Sequence, residues 1–119
     1  FVNRKTALSI QSSVSLLVFL DWTDPEVDGI LTGKLFEYLY SGTPILGIGS
    51  RHASAAGDII EKSGCGVYLG KDVNAIIQVL TDFVNGKPFP YSPKIEVLEK
   101  FDRKKLAHKM LDKITQSLL

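Results

Sequence analysis

The sequence predicts an α/β fold, an open parallel sheet with flanking helices. Three observations lead there. Short, nearly continuous apolar runs alternate with segments whose apolar residues recur at helical spacing. The first run, Val14–Leu20, is rich in Val, Leu and Phe and broken only by Ser15, the pattern of a strand buried on both faces. The connections are short, as βα units with right-handed crossovers require. The 119 residues, 45% hydrophobic and 23% charged, fit one globular domain. That composition excludes disordered, collagen-like and disulfide-framework chains.

The elements follow in order. Asn3 caps a helix through about Ser12, with Ala7, Leu8 and Ile10 as its apolar positions. Val14–Leu20 is the first strand. A polar loop, Asp21–Gly29, leads to a helix over about Thr32–Ser41, with Thr32 as N-cap, Leu35, Phe36 and Leu39 as its stripe, and Gly42 as its stop. Pro44–Ile48 is a second buried strand, with Pro at its first position, where a missing N–H is tolerated. A loop through Arg51-His52 precedes a helix over about Ser54–Lys62, ended by Gly64 and Gly66. Gly66–Leu69 is the third strand. Asp72 caps a helix through about Val84, with Ala75, Ile76, Val79, Leu80 and Phe83 on one face and Asn85-Gly86 as terminator. Lys87–Tyr91 crosses to two final helices, about Lys94–Phe101 and Arg103–Leu118. Three strands are few for a stable sheet of this class, so more are expected upstream of Phe1.

Charge and special residues narrow the function. The 14 Lys+Arg nearly balance 13 Asp+Glu, which removes the electrostatic case for general nucleic-acid binding. No apolar run approaches the ~20 residues of a membrane helix. The chain opens Phe1-Val2-Asn3-Arg4, without an initiator Met or a signal-peptide pattern, as a mature chain or a piece of a longer protein would. The single Cys65 cannot form an internal disulfide; it reads as a small residue in a Gly-rich turn. Asp21–Glu37 holds five acidic residues and one Lys, whereas Lys94–Lys113 holds seven basic and four acidic residues. The second stretch reads as a solvated helix face, with an anionic-membrane contact as the alternative.

Ligands of open α/β sheets bind beyond the carboxyl ends of the strands. The loop after the first strand enters its helix through Gly29-Ile30-Leu31-Thr32-Gly33-Lys34. Gly29 and Gly33 allow close approach to the backbone. Free N–H groups in the first helical turn, the Thr32 hydroxyl and the Lys34 ammonium suit a phosphate. Glu37, one turn further, is a carboxylate able to accept hydrogen bonds from two adjacent hydroxyls, as on a ribose. Together these suggest a nucleoside diphosphate. Singly, Thr32 reads as an N-cap, and Lys34 and Glu37 as surface residues at i,i+3.

Two other patterns compete. Gly47-Ile48-Gly49-Ser50-Arg51-His52 begins like a dinucleotide-binding G-x-G-x-x-G, with His52 in place of the third Gly and Asp72 near the distance of a ribose acid. Asp21, at the end of the first strand, could pose as the phosphoacceptor of a receiver-like signalling module, a model that gives Thr32, Lys34 and Glu37 no role. Arg51 and His52 read as exposed loop residues or as lining of a base or sugar pocket. His108 reads as solvated, Tyr38 as a packing residue, and Trp22 as packing or as a stacking partner for a base.

The run Gly29–Leu39 followed by Ser41–Leu46 resembles the donor-site signature of GT-B glycosyltransferases, the large retaining, glycogen-synthase-like group. Its (T)-x-K-x-x-E-Y/A-x-x-x-G-x-P-I/V pattern is met by Thr32, Lys34, Glu37, Tyr38, Gly42, Pro44 and Ile45. The flanks Leu8–Leu20, Ala55–Gly66 and Asp72–Leu80 are similar too, so the resemblance spans essentially the whole chain. It implies that residues 1–119 form the C-terminal, Rossmann-like, nucleotide-sugar-binding domain, with residues 102–119 its terminal helix. It implies Glu37 on the ribose hydroxyls, and Ile30, Leu31, Thr32 and Gly33 at the diphosphate and donor sugar, with Lys34 in the same motif. Many members carry a sugar-contacting acid where this chain has Gly29; Asp28 beside it substitutes, or backbone alone holds the sugar.

The resemblance further implies a cytoplasmic parent enzyme that transfers a sugar to a glycan, lipid-linked or small-molecule acceptor, with a peripheral place at the inner membrane face left open. Helix dipole and basic side chains would stabilise the leaving diphosphate, with no cofactor and no required metal. The acceptor site, and the basic pair at the diphosphate, belong to a missing N-terminal part. The chain alone is expected to bind nucleotide weakly and transfer nothing.

Overall fold

The protein is described by a computed structural model over residues 1–21, 31–50 and 53–118. Three parallel strands lie in the order β1 (Leu17–Leu20), β2 (Ile45–Ile48), β3 (Gly66–Gly70). Leu17 pairs with Ile45, and Ile45 with Gly66. The helices are α1 (Arg4–Ser13), α2 (Gly33–Leu39), α3 (Ala55–Lys62), α4 (Val73–Val84), α5 (Ile95–Leu98), which runs into a 3-10 turn (Glu99–Phe101), and α6 (Arg103–Leu118). The chain is therefore an α/β protein with an open parallel sheet flanked by helices.

The local signals act as their chemistry requires. The Asn3 side chain accepts from Thr6 N–H at 2.8 Å, and the Asp72 side chain from Ala75 N–H at 3.1 Å, each satisfying an orphan donor of a first turn. Ser54 does the same for Gly57 N–H at 2.9 Å. Thr32 occupies the N-cap of α2, but no side-chain capping bond is made there. Gly42 has φ +81° and lies two residues past the C-cap Tyr40.

The core forms where one face of the sheet meets α2 and α3. Phe19, Leu35, Leu39, Ile45, Ala56, Ile60 and Cys65 make one buried cluster. Each fully buried Leu or Ile contributes roughly 1.5–3 kcal/mol of transfer free energy. Two glycines make the fit. A Cβ at Gly57 would stand 2.5 Å from the Tyr68 ring, and one at Gly47 also 2.5 Å from it. The Tyr68 ring thus packs between β2 and α3, and its hydroxyl donates to Asp21 at 3.2 Å. Tyr38 packs its ring edge-on to Phe19 at 6.3 Å. Cys65 is fully buried, as a packing residue would be.

One expectation is corrected. The strand predicted over Val14–Leu20 with both faces buried is shorter and buried on one face only. Val14 closes α1, its N–H donating to Ile10 C=O, and β1 then alternates, with Leu17 and Phe19 inward and Val18 and Leu20 exposed. The physical reason is position: β1 ends the strand order, and the helices that meet it pack on one face. The predicted apolar face of α4 is the one turned inward: Ala75, Ile76, Val79 and Phe83 are half-buried, while Leu80 is exposed. α6 is exposed throughout its described side chains, including Leu106, Met110, Leu111, Ile114 and Leu118. No helix among the described residues is long and apolar enough to cross a membrane.

Candidate functional site

The site is built by α1 and α2. α2 connects the carboxyl end of β1 to the amino end of β2, so it runs antiparallel to the strands, with Gly33 toward the carboxyl edge of the sheet. α1 feeds into β1 and runs the same way, with Arg4 toward that edge. Between them and the start of α6 lies an open groove of about 960 Å³. Arg4, Leu8, Gln11 and Ser12 form the α1 wall, and Gly33, Phe36, Glu37, Tyr40 and Ser41 the α2 wall. Phe101, Asp102, Arg103 and Leu106 close one end.

Glu37 is a charged group in the α2 wall of this groove. Its side chain is 29% exposed and sits 3.7 Å from the Arg4 guanidinium through Oε1. Oε2 accepts from Gln11 Nε2 at 3.4 Å. Gln11 is buried, and its Oε1 has no hydrogen-bond partner among the described residues. The end of α1 is fixed from β2's side by Thr43, whose buried hydroxyl donates to the Gln11 carbonyl at 2.6 Å. Phe36 stacks at an angle on Phe101, 5.5 Å away, and the Tyr40 hydroxyl donates to Leu98 C=O at 2.6 Å, so α2 holds the segment leading into α6. Burial, and then the nearby Asp102 carboxylate, push the Tyr40 phenol above its ordinary range, with Lys105 acting the other way.

The residues singled out by the sequence divide into three groups. Gly33 and Glu37 line the groove together. Leu31, Thr32 and Lys34 are exposed around the start of α2, and Thr32 C=O accepts from Leu35 N–H at 3.2 Å. Asp28, Gly29 and Ile30 lie outside the described residues, as do Trp22, Arg51 and His52. His108 is exposed on α6. No group of three or more His, Cys, Asp or Glu that could hold a metal occurs among the described residues.

Sequence reasoning missed Arg4 and Gln11. The signal was present: Arg4, Leu8 and Gln11 share one face of α1 at i, i+4, i+7. A Gln among the apolar positions of an amphipathic helix marks a polar group turned inward. What the spacing could not reveal is that α2 brings a carboxylate against it.

Gly47 lies within β2, where its missing Cβ admits the Tyr68 ring, and Asp72 spends its side chain on the cap of α4. Asp21 accepts the Tyr68 hydroxyl. Comparison with protein-family models, with curated proteins and with solved structures finds no match.

Proposed function

We propose that this chain is the donor-binding domain of a GT-B-type glycosyltransferase and holds a nucleoside-diphosphate sugar. The observation that carries the reading is the Glu37 carboxylate, set in the wall of an open groove one turn inside α2, with Gly33 of the same motif on the same wall. A carboxylate so placed accepts from the two adjacent hydroxyls of a ribose. The exposed first turn of α2, with the Thr32 hydroxyl and the Lys34 ammonium, offers groups suited to a diphosphate. Transfer of the sugar needs an acceptor-binding part that this reading assigns to the rest of the enzyme. In the chain alone, binding is the expected activity.

The test is calorimetric titration with UDP, GDP and ADP, with NAD as comparator. One diphosphate is expected to bind more tightly than NAD. Glu37→Ala removes hydrogen bonds to a charged acceptor, worth about 1.5–3 kcal/mol, so affinity falls roughly 10- to 100-fold. Equal affinity of the wild type and Glu37→Ala, or preference for NAD, overturns the reading. A magnesium-dependent response to acetyl phosphate, with no diphosphate binding, would place the chain among receiver-like modules instead.

A further inference from the structure

We propose that Gln11 is a positioning residue for Glu37, which makes α1 part of the nucleotide site; the inference rests on the donor-binding reading of Glu37. Gln11 is 8% exposed, and burying an amide costs stability unless both its ends are paired. Here only one end is: Nε2 reaches Glu37 Oε2 at 3.4 Å, while the buried Oε1 lacks a partner among the described residues. Stability alone favours an apolar side chain in that seam. The amide does one thing an apolar residue cannot, which is to hold the carboxylate.

The geometry explains why holding matters. A carboxylate offers about four lone-pair sites, two on each oxygen. α1 engages one of them, through the Gln11 amide on Oε2 at 3.4 Å, and sets the Arg4 guanidinium at ion-pair distance, 3.7 Å, from Oε1. The amide biases the carboxylate's orientation and leaves acceptor sites on both oxygens, as two vicinal hydroxyls need. Both contacts are long, as such contacts often are before a ligand draws them tight. Thr43 anchors the carbonyl of the same Gln11, so the amide is held at both its main chain and its side chain.

The experiment compares the best-binding ribonucleoside diphosphate among UDP, GDP and ADP with its 2′,3′-dideoxy counterpart. The 119-residue wild type, Gln11→Met, Gln11→Glu and Glu37→Ala are each titrated, and thermal unfolding confirms folding. The wild type is expected to prefer the ribose form by about tenfold or more, the size of a charge-assisted hydrogen bond. Gln11→Met reduces that preference to within about threefold and leaves dideoxy affinity unchanged, since a positioned carboxylate serves only the diol. Gln11→Glu sets a second carboxylate against Glu37 in place of the amide donor and loses the preference. If Gln11→Met lowers both affinities alike, Gln11 is structural and the proposal fails alone. If Glu37→Ala erases the preference and Gln11→Met keeps it, the proposal again fails alone. If the wild type shows no ribose preference, or Glu37→Ala retains it, the donor-binding reading falls and the proposal with it.

Discussion

Gly66→Ala tests the tightest contact in the sheet. Gly66 stands opposite Ile45 in the β2–β3 register. A Cβ there would lie 1.9 Å from the Ile45 carbonyl oxygen and 2.8 Å from its nitrogen, against a floor of 3.0 Å for real Cβ contacts. Both obstacles are backbone, so no rotamer change relieves them. The strands must part by about 1.1 Å, the difference between 3.0 and 1.9 Å. The adjoining bond, Ile45 N–H to Cys65 C=O, is 2.9 Å and does not survive that displacement. Leaving its two buried partners unsatisfied costs about 1–3 kcal/mol each, so about 2–6 kcal/mol in all. That is a large share of a typical stability of about 5–15 kcal/mol. Urea unfolding followed by circular dichroism should show the midpoint falling by on the order of 1–3 M, given slopes of about 1–3 kcal/mol/M. A midpoint within about 0.3 M of wild type, a loss below about 1 kcal/mol at such slopes, would refute the reasoning.

Three other changes probe separate parts of the fold. Thr43→Val removes the donor to the Gln11 carbonyl and should cost about 1–3 kcal/mol in urea melts, with amide exchange quickening in α1 first. Ile60→Ala empties a fully buried site between α3 and the sheet and should cost about 2–5 kcal/mol by the same measurement. Cys65 should resist iodoacetamide in the native protein and react in urea. Burial raises its thiol pKa, with the Ser63 hydrogen bond opposing. Because the folded value lies above the unfolded one, the thiol's contribution to stability is full at neutral pH. It declines as alkali deprotonates the unfolded thiol and levels off past the folded pKa, and Cys65→Ala should remove that part of the alkaline loss.

The sequence carried most of the architecture because its signals are local. Asn3, Ser54 and Asp72 announce helix starts through a bond three residues away, and Gly86 announces a helix end through its backbone φ of +84°. What stayed hidden depends on neighbours distant in sequence. Val18 and Leu20 look like core residues until β1 is placed at the end of the strand order. The same holds at the groove. Glu37 stands out in the sequence by its motif spacing, but its link to Gln11 spans 26 residues and exists only once α1 and α2 lie side by side. The Thr32 hydroxyl shows the converse: the cap position was legible, the capping bond is not made.

The Tyr68 ring, pressed between Gly47 and Gly57, also carries a gauge of the fold's breathing. Rotating a phenol by half a turn about its long axis leaves the hydroxyl where it was, so the bond to Asp21 can persist through each flip. The ring edges, however, must sweep through space that the two glycines leave only just wide enough at rest. The flip frequency therefore reports how often α3 lifts from β2, separately from events at the hydroxyl. Line shapes of the Tyr68 ring protons, recorded with and without nucleotide, would reveal whether filling a groove on α1 and α2 stills the β3 edge of the same sheet.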